Sequence, residues 1–116
     1  MRLLSNATST GEHSTIPIVE ERVGELQQLC LRYRVLRLDL FGSAATGNCH
    51  GRESDLDFLV EFQTLPSGEY ANAYFGLLES LELLFGHPVD LVVDSAIKNP
   101  FFRQRVDETR TLLYAA

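Results

Sequence analysis

Phe58-Leu59-Val60 sits inside the run Asp55-Leu56-Asp57-Phe58-Leu59-Val60-Glu61-Phe62. Side chains alternate between the two faces of a strand, so three apolar residues in a row point apolar groups both ways. Such a strand is stable only in a sheet that is covered on both sides. Two further short apolar runs supply neighbours: Val35 to Phe41 and Val89-Asp90-Leu91-Val92-Val93. The cover is written between and around them. Val19, Val23, Leu26, Cys30 and Tyr33 recur at helical spacing and predict a first helix over residues 17–33, with Pro17 in its first turn. Tyr70, Tyr74, Leu77, Leu78, Leu81, Leu84 and Phe85 form a second helical stripe, ended by Gly86 as a C-cap. Pro100 opens a last helical region that carries Phe101, Phe102 and Val106 and extends towards Leu112, Leu113 and Tyr114. The order helix, strand, loop, strand, helix, strand, helix predicts an α/β (α+β) fold: a small sheet of three strands covered by helices. It leaves open which strand pairs are antiparallel.

The chain has 116 residues, the usual size of one domain. Residues 1–15 are rich in Ser, Thr, Asn and Gly without periodicity and are expected to be a flexible N-terminal tail. Residues 16–116 are expected to form the domain. The first 15 residues lack the apolar core of a signal peptide, and no run approaches the roughly 20 apolar residues that span a bilayer. No membrane association and a cytoplasmic location are therefore expected. The net charge of −6 argues against tight nucleic-acid binding, which depends on clustered Lys and Arg. Arg32, Arg34 and Arg37 are a local basic cluster, read as a solvated face before a patch for an anion or an acidic partner. Cys30 and Cys49 make no zinc motif and are expected to be free thiols, Cys30 on a buried helix face.

Asp55 and Asp57 are two apart at the start of a strand, so both carboxylates share a face. Two like charges so placed repel unless a cation lies between them. An all-oxygen donor set suits Mg²⁺ or Mn²⁺. The plain alternative is a solvated strand start. Gly42-Ser43 ends an apolar strand, where a glycine lets a phosphate approach the backbone and Ser43 adds a hydroxyl. The plain alternative there is a strand-to-helix turn with Ser43 as N-cap. Asp90 interrupts an apolar strand, and a buried charge requires a cation or an arginine partner. His50, His87 and Asp39 are read as ordinary loop or structural residues, Asp39 at an edge position or with an arginine partner. Tyr70, Tyr74 and Phe75 are read as core.

Three motifs in this order resemble a known family: Phe41-Gly42-Ser43-Ala44-Ala45-Thr46-Gly47, then Ser54-Asp55-Leu56-Asp57-Phe58-Leu59-Val60, then Val89-Asp90-Leu91-Val92. They look like the minimal nucleotidyltransferases of the polymerase-beta-like superfamily, small proteins often encoded beside HEPN-domain toxins. The resemblance implies the nucleotidyltransferase fold for residues 16–116. It implies that Gly42 and Ser43 bind the nucleotide phosphates and that Asp55, Asp57 and Asp90 are catalytic. These three aspartates would hold two Mg²⁺ ions, with Mn²⁺ as a substitute. It implies an antitoxin, in a hetero-oligomer with a HEPN toxin, that transfers AMP from ATP to a toxin hydroxyl, a tyrosine. The alternative is an antitoxin that neutralises its toxin by contact alone. Two features depart from the family: Thr46 stands before Gly47 where an arginine is frequent, and the loop from Ser43 to Asp55 is about one residue longer. Loss of a phosphate-facing arginine weakens nucleotide binding or turnover.

Overall fold

The computed structural model describes residues 17–42 and 56–116. In chain order these residues form helix α1 (Pro17–Glu20), helix α2 (Val23–Arg32), strand β1 (Val35–Phe41), strand β2 (Leu56–Phe62), helix α3 (Glu69–Phe85), strand β3 (Val89–Val93), a 3-10 turn (Asp94–Ala96), helix α4 (Pro100–Thr109) and strand β4 (Thr111–Ala115). The sheet is mixed, in the order β3-β2-β1-β4. β1 runs antiparallel to both β2 and β4, and β2 runs parallel to β3.

The both-face apolar run in β2 has the cover it requires. Leu56, Phe58, Val60 and Phe62 point into the larger core with Leu38 and Leu40 of β1 and the inner faces of α2 and α3. Leu59 points the other way, onto Phe41 and Val106 of α4. The α3 core stripe is Ala73, Leu77, Leu81 and Phe85, an unbroken i,i+4 series. Burying Leu77 and Leu81 contributes about 2 kcal/mol each. Gly86 ends this helix in the left-handed conformation (φ +66°), and its N–H donates to the Glu82 carbonyl. At the start of α4, the Asn99 side chain accepts from the N–H groups of Phe101 and Phe102, and Pro100 occupies the first turn.

Four expectations are corrected. The helix expected over residues 17–33 breaks at residues 21–22. Arg22 leaves helical geometry (φ −112°, ψ 21°), and its N–H bonds to the Val19 carbonyl, three residues back. The final helix stops at Thr109, and the residues expected to prolong it form a fourth strand, so the sheet has four strands rather than three. Arg110 is extended (ψ 139°), and β4 then fills the free edge of β1 with Tyr114 opposite Leu38. Tyr70 and Phe75, expected in the core, are 46% and 57% exposed. They lie off the Ala73–Phe85 stripe, and only Tyr74 of that group packs against the core. Asp90, expected on a buried strand, is exposed because β3 is an edge strand.

Candidate nucleotide and metal site

The sheet brings three separate stretches of sequence into one row. Phe41 at the end of β1 is opposite Asp57, and Asp57 is opposite Asp90. Residues directly opposite on neighbouring strands project to the same face. The two carboxylates therefore stand side by side at the starts of β2 and β3. Asp57 is half-buried and Asp90 is exposed. No ion pair to Asp90 occurs among the described residues.

Gly42 closes the row. Its φ is +77°, a conformation that L side chains rarely adopt. A Cβ built on it would lie 2.6 Å from Oδ2 of Asp57, closer than real Cβ contacts allow. Only glycine lets the backbone turn lie against that carboxylate. The Gly42 N–H donates to the Thr109 hydroxyl at 2.9 Å. Ser43 and Asp55 lie outside the described residues, as do Thr46, Cys49 and His50.

Asp57 and Asp90 offer oxygen donors alone, from adjacent strands and on one face, which suits a hard divalent cation. Among the described residues there is no group of three or more His, Cys, Asp or Glu side chains that could hold an ion.

The ground behind the row is apolar and then ionic. Phe41 packs with Leu59 and Val106, and its ring meets Phe102 edge-on at a centroid distance of 6.0 Å. Asp39, two residues earlier on β1, is 1% exposed and committed to arginines, one of the two readings its sequence context allows. Arg37 reaches it at 2.9 Å and Arg110 at 3.0 Å. Arg110 continues to Asp94 at 3.1 Å and to Asp107 at 3.0 Å. Burial works against the Arg110 charge, but the pairs with Asp39, Asp107 and Asp94 outweigh it and its pKa is raised. Asp94 is likewise desolvated, yet hydrogen bonds from Arg103 and Arg110 pull its pKa below the ordinary value. Of the basic cluster Arg32-Arg34-Arg37, Arg37 is thus an ion-pair residue, while Arg32 lies over the Tyr33 ring at 5.9 Å.

Tyr74 braces β3 beside Asp90. Its hydroxyl donates to the Leu91 carbonyl at 2.6 Å, and burial, then the negative charge of Asp90, push its pKa up. Thr109, Arg110 and Tyr74 were not legible as site neighbours, because each acts through a partner far away in sequence. Cys30 is buried and free, and burial pushes its thiol up to about 12. Two surface hollows, of about 690 and 460 Å³, lie between α2 and α3 and beside Tyr70 and Ser95; neither is lined by Gly42, Asp57 or Asp90.

Residues 18–113 match the family model described as a nucleotidyltransferase domain. A protein of Methanocaldococcus jannaschii, provisionally named a protein adenylyltransferase, is 40% identical over 77 residues, 66% of this chain and 74% of that protein. A solved structure described provisionally as a minimal nucleotidyltransferase superposes with a TM-score of 0.67 at 30% identity, over 87% of this chain and 98% of the other. A complex described as a tri-AMPylated Shewanella oneidensis HEPN toxin with its MNT antitoxin superposes with a TM-score of 0.57 at 20% identity, covering 84% of this chain and 72% of the other; at that identity it speaks for the fold alone.

Proposed function

This chain belongs to the nucleotidyltransferase domain family, and we propose that it transfers AMP from ATP to a hydroxyl, a tyrosine, of a HEPN-domain toxin, which the modification silences. The observation that carries the proposal is the row Gly42–Asp57–Asp90: a glycine turn lying against one carboxylate, with a second carboxylate beside it on the same face. A phosphate bound at Gly42 and Ser43 would place the α-phosphorus next to that pair. Asp57 and Asp90, with Asp55, would hold two Mg²⁺ ions, or Mn²⁺ in their place, which supply charge neutralisation for the triphosphate and a lowered pKa for the acceptor hydroxyl.

The chain's own residues have separable tasks. Gly42 gives the triphosphate access to the backbone, because a side chain there would fill the space in front of Asp57. Asp57 fixes the phosphate end of the site, since its β2 position is locked by neighbours on both sides. Asp90, exposed on the edge strand, would face the incoming acceptor and take up the hydroxyl proton. The acceptor oxygen forms a bond to the α-phosphorus, the bond from that phosphorus to the bridging oxygen breaks, and pyrophosphate departs. The ionic cluster around Arg110 holds β1 and the 3-10 turn in fixed relation from behind.

The test is co-expression with a candidate HEPN-domain partner, followed by intact mass measurement of that protein. The toxin is expected to gain the mass of one or more AMP groups. With Asp90→Ala the complex is expected to form, the toxin to stay unmodified and toxicity to return. An unmodified toxin that Asp90→Ala still neutralises fully would replace the proposal with neutralisation by contact alone.

A further inference from the structure

We infer that Thr109 is a positioning residue for the nucleotide turn, holding Gly42 by its backbone N–H so that the turn keeps its place against Asp57. The inference rests on the nucleotidyltransferase reading above and adds a residue from the far end of the chain.

The Gly42 N–H is already used. It donates to the Thr109 hydroxyl at 2.9 Å, across 67 residues of sequence. A threonine hydroxyl has one proton and two lone pairs. That proton is directed to the Arg105 carbonyl at 3.1 Å, with the Val106 carbonyl at 3.4 Å, which leaves a lone pair aimed at Gly42. A backbone amide has one proton, so a phosphate could recruit this one only by breaking the bond. Glycine's task in this turn is therefore to leave room in front of Asp57 rather than to donate its own N–H.

A grip is needed because the turn is built on glycine. At φ +77° no side chain confines Gly42 to one conformation, and a glycine loses more freedom on ordering than any other residue. The junction between α4 and β4 supplies two fixed points on β1. Arg110 pins the Asp39 carboxylate at 3.0 Å, and Thr109, the preceding residue, pins the Gly42 amide three residues further on. Val106, one helical turn before Arg110, packs against Phe41 between those two points. Side chain, ring and backbone of the β1 exit are thus each tied to the same helix end. The turn then lies where its Cα faces the Asp57 carboxylate.

The experiment compares the wild-type chain with Thr109→Val, which keeps the shape but removes the acceptor, and Thr109→Ser, which keeps the hydroxyl. Three quantities are read: hydrogen exchange at the Gly42 amide by NMR, ATP affinity in the presence of Mg²⁺ by calorimetry, and the thermal midpoint. We expect the Gly42 amide to be protected in the wild type and in Thr109→Ser, and to exchange freely in Thr109→Val. ATP affinity should fall roughly tenfold in Thr109→Val, the weight of one lost hydrogen bond, and recover in Thr109→Ser. A purely structural role would lower the thermal midpoint and leave the affinity of the folded protein unchanged. Equal ATP affinity in wild type and Thr109→Val, or free exchange of Gly42 in the wild type, overturns this inference alone. A wild type that binds no ATP overturns the nucleotide reading together with it.

Discussion

Replacing Gly42 by alanine separates the two things this glycine does. The first is conformational: placing an L residue in the left-handed region costs about 1–2 kcal/mol. The second is steric. The new Cβ would lie 2.6 Å from Oδ2 of Asp57, inside the 3.0 Å that real Cβ atoms respect. That oxygen is the end of a side chain, so the carboxylate rotates away at small cost to the fold. It moves out of the row it shares with Asp90. Stability should therefore fall by about 1–2 kcal/mol, a loss of roughly 5–10 °C in Tm, while function falls much further. Gly86→Ala is the matched control, because Gly86 has φ +66° and nothing within 4 Å of the added Cβ. It carries the conformational cost without the contact. Thermal unfolding should show similar losses for both variants. Calorimetric titration with ATP and Mg²⁺ should show affinity at least roughly tenfold weaker for Gly42→Ala, the size of one lost charge-assisted contact, and unchanged for Gly86→Ala. Wild-type affinity in a folded Gly42→Ala protein would refute the claim that the glycine makes room for a functional carboxylate.

Arg110→Met should cost about 3 kcal/mol in urea denaturation, because it leaves Asp39, 1% exposed, with only the half-exposed Arg37 as partner. Arg22→Ala, which breaks an exposed pair with Glu25, should cost less than about 1 kcal/mol. Asp94 has a folded pKa below its ordinary 3.8, so its contribution is fully present above that value and disappears as pH falls beneath it. Urea midpoints measured towards low pH should drop there, and less steeply in Asp94→Asn. Cys30, with its thiol pushed up to about 12, should resist a disulfide reagent in the native protein and react once urea unfolds the chain.

What the sequence reveals and what it conceals divide along local and distant interactions. The α3 stripe with its Gly86 stop, and the α4 start at Asn99 and Pro100, are readable because spacing and capping act within a few residues. That Asp57 and Asp90 each sit near the start of a short apolar strand is readable, but their side-by-side register comes from the parallel pairing of β2 with β3, which the sequence leaves open. Strand β4 was not readable as a strand. Thr111-Leu112-Leu113-Tyr114 is a short apolar run that suits a helix end as well as a strand, and its choice is made by the open edge of β1. Thr109 and Arg110 are ordinary residues until Gly42 and Asp39, 67 and 71 residues away, fold against them. Asp90 was misjudged as buried for a related reason. An apolar strand read alone does not disclose whether it is central or at an edge, and β3 is at an edge.

The central claim is that one row of residues, Gly42, Asp57 and Asp90, serves transfer of a nucleotidyl group from ATP. Its most direct measurement is transfer of label from ATP labelled at the α-phosphate, with Mg²⁺, to a purified HEPN-domain protein tested as its partner. The wild type should label that protein, chelation of the metal should stop the reaction, and Asp57→Asn and Asp90→Asn should each abolish it while remaining folded. Undiminished labelling by the double variant Asp57→Asn/Asp90→Asn, or no labelling by the wild type in the presence of Mg²⁺, would contradict the account.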